Sequence, residues 1–319
     1  THDEEAMGDA AAWMADAERS WGRAGSDFVV AARRLTPRGA ARMGGAGRTL
    51  GLHHVDDLAL DAPRHEVGLG PFRPLVRPWT LAEQAAAFER LTGRRPRSNR
   101  NHYLLWDEGY ARPFRRMAAA GIEIDTTYGP DMGTAGYLFG TGLPFRALDE
   151  NGLPLPVHEL PFQTAEDLGG ADRAFVWRLL RESAERHHQT VTTLFHPNVF
   201  AWRPDAALYA TWRDAFAEAE RLGLHVTDVE TFVDGLRARA RSPLRSSWAA
   251  GVLEVRADAL HDGATLAVPA VWDGRPADVS VDGRAATARR VEGAGGPLLL
   301  VVLASGSRSV RVAYPEIVR

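Results

Sequence analysis

VTTLFHPNVFAWRPDAALYATWRDAFAEAERLGLHVTDV, residues 191–229, carries the pattern that decides the fold. VTTLFH (191–196) is short, β-branched and apolar, which predicts a strand. Residues 205–222 read as a helix that ends at Gly223, and LHVTDV (224–229) reads as another strand. Strand, helix and strand in succession describe a parallel crossover unit.

The same alternation extends toward the N-terminus. Met7, Ala10, Met14, Ala17 and Trp21 predict an amphipathic helix over 5–22. SDFVVAA (26–32) and TLGLH (49–53) predict buried strands. Thr80 and Glu83 form a capping box ahead of a helix. HYLL (102–105) and IEIDT (122–126) are strand-like, and 107–120 is helical, with Pro113 kinking it or lying in its first turn. Residues 164–188 and 231–241 are read as helices. The Gly/Pro-rich stretch 128–160 reads as a long loop of the kind that walls pockets. Repeated strand–helix units predict a parallel α/β sheet, open or closed into a barrel, with functional groups at the C-terminal strand ends.

After Ser242 the pattern changes. LEV, TLAVPAV, ADVSV, PLLLVVL and SVRVAY are short β segments, with Asp-Gly turns at 262–263, 273–274 and 282–283. They predict a small antiparallel β-sandwich. The expected division is 1–244 and 245–319.

The 319 residues are 45% hydrophobic and 25% charged, with a net charge of −3, which gives no field for nucleic acid. There is no lysine, so the arginine content reflects composition rather than phosphate binding. There is no cysteine, which excludes disulfides, a Cys nucleophile and thiolate metal sites. No apolar run is long enough for a membrane span. No secretion signal is visible, and neither compartment nor oligomeric state is assigned.

Polar clusters recur at the predicted strand ends: His2-Asp3-Glu4-Glu5, His53-His54-Val55-Asp56-Asp57, Arg100-Asn101-His102-Tyr103, Asp125 and His196-Pro197. The second cluster supplies nitrogen and oxygen donors suited to Zn²⁺ or a similar ion. A parallel sheet would gather these ends on one edge.

In their order these clusters resemble the polysaccharide deacetylases of the NodB-homology, carbohydrate esterase 4-like superfamily. The matching stretches are THDEE (1–5), GRTLGLHH (47–54), RNHY (100–103), EIDTTYG (123–129) and TLFHP (193–197). RNHYLL and GTGLPF (140–145) are similar to a bacterial subgroup. The resemblance covers about 1–240 and implies a distorted (β/α) barrel of the NodB type. It implies a metal-dependent hydrolase that removes acyl groups, chiefly N-acetyl, from a carbohydrate. Asp3 matches the base and Arg100 the arginine that holds it. The Tyr103 backbone N–H matches part of an oxyanion hole, and Asp125 matches the aspartate that orients the acid His196. The metal, zinc with cobalt or nickel as alternatives, would be held by His53, by Glu5 or Glu4, and by Asp57. Asp57 stands where the family has a second His, and His54 and His65 are its alternatives. Two other readings stay open: a non-catalytic carbohydrate-binding or scaffold protein on this fold, motivated by Asp57, and a glycoside hydrolase using two carboxylates.

Overall fold

The computed structural model describes residues 2–4, 9–22, 25–30, 36–45, 47–55, 80–106, 109–130, 136–165, 173–197, 206–260, 264–293 and 295–315. The chain divides into two units, Thr1–Val233 and Asp234–Arg319. This division falls ahead of the expected one at 244/245.

The first unit is mixed α/β. Strands β1 (His2–Glu4), β2 (Ser26–Val29), β3 (Thr49–His54), β4 (Ser98–Asn101) and β5 (Ile124–Asp125) pair in parallel, in sequence order. A hairpin of β6 (Phe145–Leu148) and β7 (Pro154–Glu159) completes the sheet, with β7 parallel to β5 and β6 antiparallel at the edge. β8 (Thr164–Ala165) and β9 (Thr193–Leu194) form a separate parallel pair, and a bridge joins Phe195 to His2. Between the strands run α1 (Asp9–Ser20), α2 (Pro37–Gly45), α3 (Leu81–Thr92), α4 (Ala111–Ala119), α5 (Arg173–Glu182) and α6 (Ala206–Arg221). α7 (Val229–Ala240) follows, and the division of the units falls inside it.

All four residues of β2 are buried, as expected of a strand covered on both faces. Leu50 and Leu52 of β3 pack with Leu81, Ala85 and Phe88 of α3 and Phe114 and Met117 of α4. Each fully buried side chain of this size contributes about 1.5–3 kcal/mol. The capping box opens α3 as predicted: Thr80 Oγ1 accepts from Glu83 N at 3.2 Å, and Glu83 Oε2 accepts from Thr80 N at 2.9 Å. The buried Gln84 on α3 donates to Val55 O at 2.8 Å and accepts from Val55 N at 3.1 Å, fixing the chain just beyond β3.

Four expectations are corrected. HYLL is not a strand: the strand is SNRN (98–101), and the chain leaves the sheet in a tight turn at His102–Leu104, where Leu104 takes φ 57°. The stretch 128–160 contains the β6–β7 hairpin, turned at Asp149–Gly152, where Asp149 Oδ1 accepts from Asn151 N and Leu153 N. Within 164–188, Thr164–Ala165 is strand and the helix is Arg173–Glu182, followed by a wide turn at Ser183–His187. LHVTDV forms no strand. Leu224 and Val226 pack beside Val176 and Leu180, and Asp228 Oδ1 caps α7 by accepting from Glu230 N and Thr231 N, both at 3.0 Å. Pro113 lies in the first turn of α4, where its missing N–H costs no helical bond.

The second unit is built from antiparallel strands. One sheet contains β10 (Leu244–Ala249), β11 (Val252–Leu260), β19 (Gly306–Ala313), β15 (Asp278–Val281) and β16 (Arg284–Ala285), in that spatial order. The other contains β12 (Ala264–Pro269), β18 (Gly296–Leu303) and β17 (Ala288–Gly293). Val255, Val279, Val310 and Val312 of the first sheet share one buried cluster with Val268, Val301 and Leu303 of the second. Two predicted Asp-Gly turns are present. One joins β13 (Val271–Trp272) to β14 (Arg275–Pro276), with φ 50° and 71° at Asp273 and Gly274. The other joins β15 to β16, with φ 51° and 76° at Asp282 and Gly283. Two successive positive φ values define the hairpin turn whose twist matches its strands. The Asp-Gly pair at 262–263 lies outside the described residues.

Candidate active site

β4 is the centre of the site, and its composition is unusual for a strand: Ser98, Asn99, Arg100 and Asn101 are all buried. A buried polar strand requires a partner for each group. Arg100, with no exposed surface, donates from Nη1 to Asp3 Oδ1 at 3.0 Å and from Nε to Thr126 O at 3.0 Å. Its guanidinium lies 4.8 Å from the centre of the Phe28 ring and 5.4 Å from that of Phe162. Asp3 is 3% exposed, so this is a buried ion pair, a kind that is costly to break from either side.

Gly51 makes room for the arrangement. A Cβ there would stand 2.6 Å from the Phe28 ring and 2.7 Å from Ser98 Oγ. Glycine at this point of β3 therefore lets Phe28 lie under Arg100.

His53 is the register partner of Arg100, and its Nδ1 stands 2.9 Å from the Arg100 carbonyl oxygen. A carbonyl only accepts, so Nδ1 is the donor of this bond. The His53 Nε2 is 4.0 Å from Asp3 Oδ2. The His102 ring meets His53 edge-on, with centres 5.2 Å apart. His54 Nδ1 is 3.3 Å from Asn101 Oδ1.

Asp3 N donates to Phe195 O at 2.9 Å, which sets His196, the next residue, beside β1. His196 is partly buried, and its charge acts on His2. His2 itself is buried, 2.9 Å from Glu18 Oε1, and burial followed by the Arg48 charge holds its pKa well below the usual histidine value. Arg48 also grips Asp27 through Nε and Nη2, both at 2.7 Å, and pairs with Glu18.

Asp125 is fully buried at the end of β5. Its Oδ1 accepts from Asn99 Nδ2 at 2.8 Å and Thr127 Oγ1 at 2.9 Å, and its Oδ2 accepts from Thr127 N at 3.3 Å. Its remaining side-chain partner is Glu159, its register partner on β7. Asp125 thus bonds Asn99, Thr127 and Glu159, a different set from the His196 pairing that the resemblance implies. Burial pushes the Asp125 carboxyl up, against the hydrogen bonds from its neighbours. Burial, and then the Asp125 charge, push Glu159 well above the usual carboxylate range.

The structure therefore brings Asp3, His53 and Arg100 together, sets His196 just after the Phe195 bridge to β1, and bonds Asp125 to Asn99, next to Arg100 on β4. Tyr103 lies in the turn after β4. Glu4 lies in β1, paired with Val29. Glu5, Asp57 and His65 lie outside the described residues. Sequence reasoning missed Glu159, Asn99 and Thr127 as partners in the site, and named His102 only as a member of a polar cluster. Glu159 ends β7, within the stretch 128–160 that reads as loop, and that reading hides it.

A divalent cation is tested by the donors present. His53, its proton fixed on Nδ1 by a backbone carbonyl, has the outer-shell support typical of a metal-binding imidazole. Among the described residues, no three His, Asp or Glu side chains cluster closely enough to hold an ion. The donor chemistry at His53 fits a zinc-type ion; the other expected ligands, Glu5 and Asp57, fall outside the described residues.

No protein-family model matches the chain, and no curated protein matches it. Among solved structures it is similar to the peptidoglycan deacetylase PdaC from Bacillus subtilis, at 12% identity and a TM-score of 0.42, over 75% of this chain and 90% of that one. A mutant of the same protein matches with a TM-score of 0.41 at the same identity and coverage. No helix in the described residues is long and apolar enough to cross a membrane.

Proposed function

We propose that residues 1–244 form a metal-dependent hydrolase that removes acyl groups, N-acetyl above all, from a carbohydrate. The small β domain, residues 245–319, is a sandwich that supplies no catalytic group. The observation that carries this reading is the buried Asp3 carboxylate, with one oxygen on Arg100 and the other facing His53, itself fixed by the Arg100 carbonyl. Closure of the strands into a distorted barrel is supported by two features. Residues 160–163 lead directly from β7 into β8, and the Phe195 bridge links the end of β9 to β1.

Asp3 is the general base that takes a proton from the attacking water, and Arg100 sets its orientation. His196 is the acid that protonates the departing amine. The Tyr103 amide N–H donates to the oxyanion formed from the acyl carbonyl. His53, a carboxylate from Glu5 or Glu4, and Asp57 would hold the ion, zinc or else cobalt or nickel. When bound, such an ion acidifies water and polarises the carbonyl. Asp125 is enclosed by Asn99, Thr127 and Glu159, which weighs against a glycosidase using Asp3 and Asp125 as its two carboxylates.

The test is calorimetric titration of metal-free protein with Zn²⁺, Co²⁺ and Ni²⁺. About one ion should bind per chain, and His53→Ala should abolish both binding and turnover of N-acetylated oligosaccharides. A second reading is favoured by Asp57 standing at the expected His position: a carbohydrate-binding protein without catalysis. Absence of metal uptake by the wild-type chain would decide for it.

A further inference from the structure

The buried carboxyls of Asp125 and Glu159 lie behind the site and are given no step in the proposed reaction. Both residues have no exposed surface, and they face each other across adjacent parallel strands. Every partner of the Asp125 oxygens other than Glu159 is a donor: Asn99 Nδ2, Thr127 N and Thr127 Oγ1. Glu159 Oε1 accepts from Tyr128 N at 2.9 Å. Glu159 Oε2 is buried with no donor to accept from. Two carboxylates in this position would repel each other and strand Oε2. One proton on Oε2 turns that atom into a donor to Asp125 and removes both penalties. The cation acting on Glu159 is Arg100, which is already engaged by Asp3. The Tyr128 hydroxyl, also near, is raised by burial and by both acids, and so stays protonated.

We propose that Glu159 and Asp125 share a single proton, and that this acid–carboxylate pair is the positioning element that holds Arg100 on Asp3. The route is short. Asp125 anchors Thr127, whose Oγ1 accepts from Asn101 N at 3.0 Å, next to Arg100. Thr126, between Asp125 and Thr127, supplies the carbonyl that takes Arg100 Nε. Asn99, on the other side of Arg100, bonds Asp125 directly. The acid pair therefore ties the Asn99 side chain and, through Thr127, the Asn101 amide on either side of Arg100, along with the segment whose Thr126 carbonyl the guanidinium bonds. The positioning role rests on the proposed hydrolase reading, whereas the shared proton does not.

The test uses the full chain with ¹³C-labelled Glu and Asp carboxyls and ¹⁵N-labelled Arg. One Glu carboxyl should resonate as the neutral acid at neutral pH and vanish in Glu159→Gln. The Arg100 Nε resonance should shift in Glu159→Ala and recover in Glu159→Gln, whose amide donates to Asp125 and accepts from Tyr128 N. If the wild type deacetylates a glycan, Glu159→Ala should lower kcat roughly 10- to 100-fold through misplacement of Asp3, and Glu159→Gln should restore it to within about threefold. A Glu159 carboxyl found ionised at neutral pH overturns the shared proton. An Arg100 resonance unmoved by Glu159→Ala overturns the positioning role. If Glu159→Ala does not fold, the wild-type carboxyl spectrum decides the first point, and the Arg100 signal in Glu159→Asp, which shortens the acid, decides the second. A wild type inactive on every acylated glycan tells against the hydrolase reading alone, since the resonances need no substrate.

Discussion

Replacing Arg100 by Met keeps a long apolar stem and removes the guanidinium. Three losses follow from the geometry. Asp3, 3% exposed, loses its cationic partner at 3.0 Å; stranding a buried charge in this way costs about 3–5 kcal/mol. The Thr126 carbonyl loses its donor, about 1 kcal/mol. The Phe28 and Phe162 rings lose a stacked cation, on the order of 1 kcal/mol between them. Local rearrangement recovers part of the sum, so a net loss of about 4 kcal/mol is expected. Asp3→Asn leaves an amide oxygen for Arg100 and should cost about 2 kcal/mol. The double variant should be more stable than additivity allows by about 2 kcal/mol, because the charge that each single change strands is gone. Hydrogen exchange at the β1–β4 amides, read against urea, reports the opening of the strands around this pair directly, where a bulk signal averages over the whole chain. A loss below about 1 kcal/mol for Arg100→Met, or additivity in the double variant, would refute the claim that this pair organises the site.

Asp3→Asn and His196→Ala should each reduce deacetylation by on the order of 10²-fold while metal content, measured on the purified variants, stays intact; loss of metal in Asp3→Asn would make Asp3 a ligand. Glu159 has a native pKa raised above its unfolded value, so the stability it contributes is complete below the unfolded value and declines as pH rises toward the native one. The unfolding free energy read from urea titrations should therefore fall as pH rises above the unfolded glutamate range, with Glu159 contributing at most about 1.4 kcal/mol per pH unit for its one proton, and Glu159→Gln should remove that share of the fall. Gly51→Ala should displace Phe28 and cost about 1–3 kcal/mol in unfolding free energy, and a structure of the variant should show Phe28 moved from beneath Arg100.

Much of the fold was legible because most elements follow the ordinary link between pattern and burial. β2, β3, β12 and β18 carry β-branched or apolar runs, and Asp-Gly pairs mark two of the hairpins. Readings failed where another demand overrode the pattern. LHVTDV looks like a strand, yet its apolar residues fill the gap between α5 and α6 and its Asp228 caps α7. β7 begins Pro-Leu-Pro, and proline cannot donate to a ladder, so the segment reads as loop; its pairing is carried by the residues further on, up to Glu159. HYLL is apolar enough for a strand, but the ladder ends at Asn101, where the side-chain amide takes the Leu105 carbonyl and the chain turns away.

The clearest failure is also the most informative about the site. A strand spelled Ser-Asn-Arg-Asn has no apolar periodicity, and a reading based on hydrophobic pattern passes over it. It is nevertheless a fully buried strand at the middle of the sheet, flanked by β3 and β5. Such a strand persists only because the neighbours satisfy it: Glu230 accepts from Ser98, Asp125 from Asn99, Asp3 and Thr126 from Arg100, and Thr127 from Asn101. Three of those five acceptors, Asp125, Thr126 and Thr127, lie at or just beyond the end of β5, beside β4, and a fourth, Asp3 on β1, is the proposed base. The polar clusters were therefore visible in the sequence as types of residue. Their partners were not, because each bond spans a sequence separation that no local pattern encodes. Glu159 is the extreme case. Its carboxyl is placed by pairing of β7 with β5, and its proton is required by an acid on the adjacent strand. Sequence order can nominate Asp125, but only the register of the sheet sets a second acid against it.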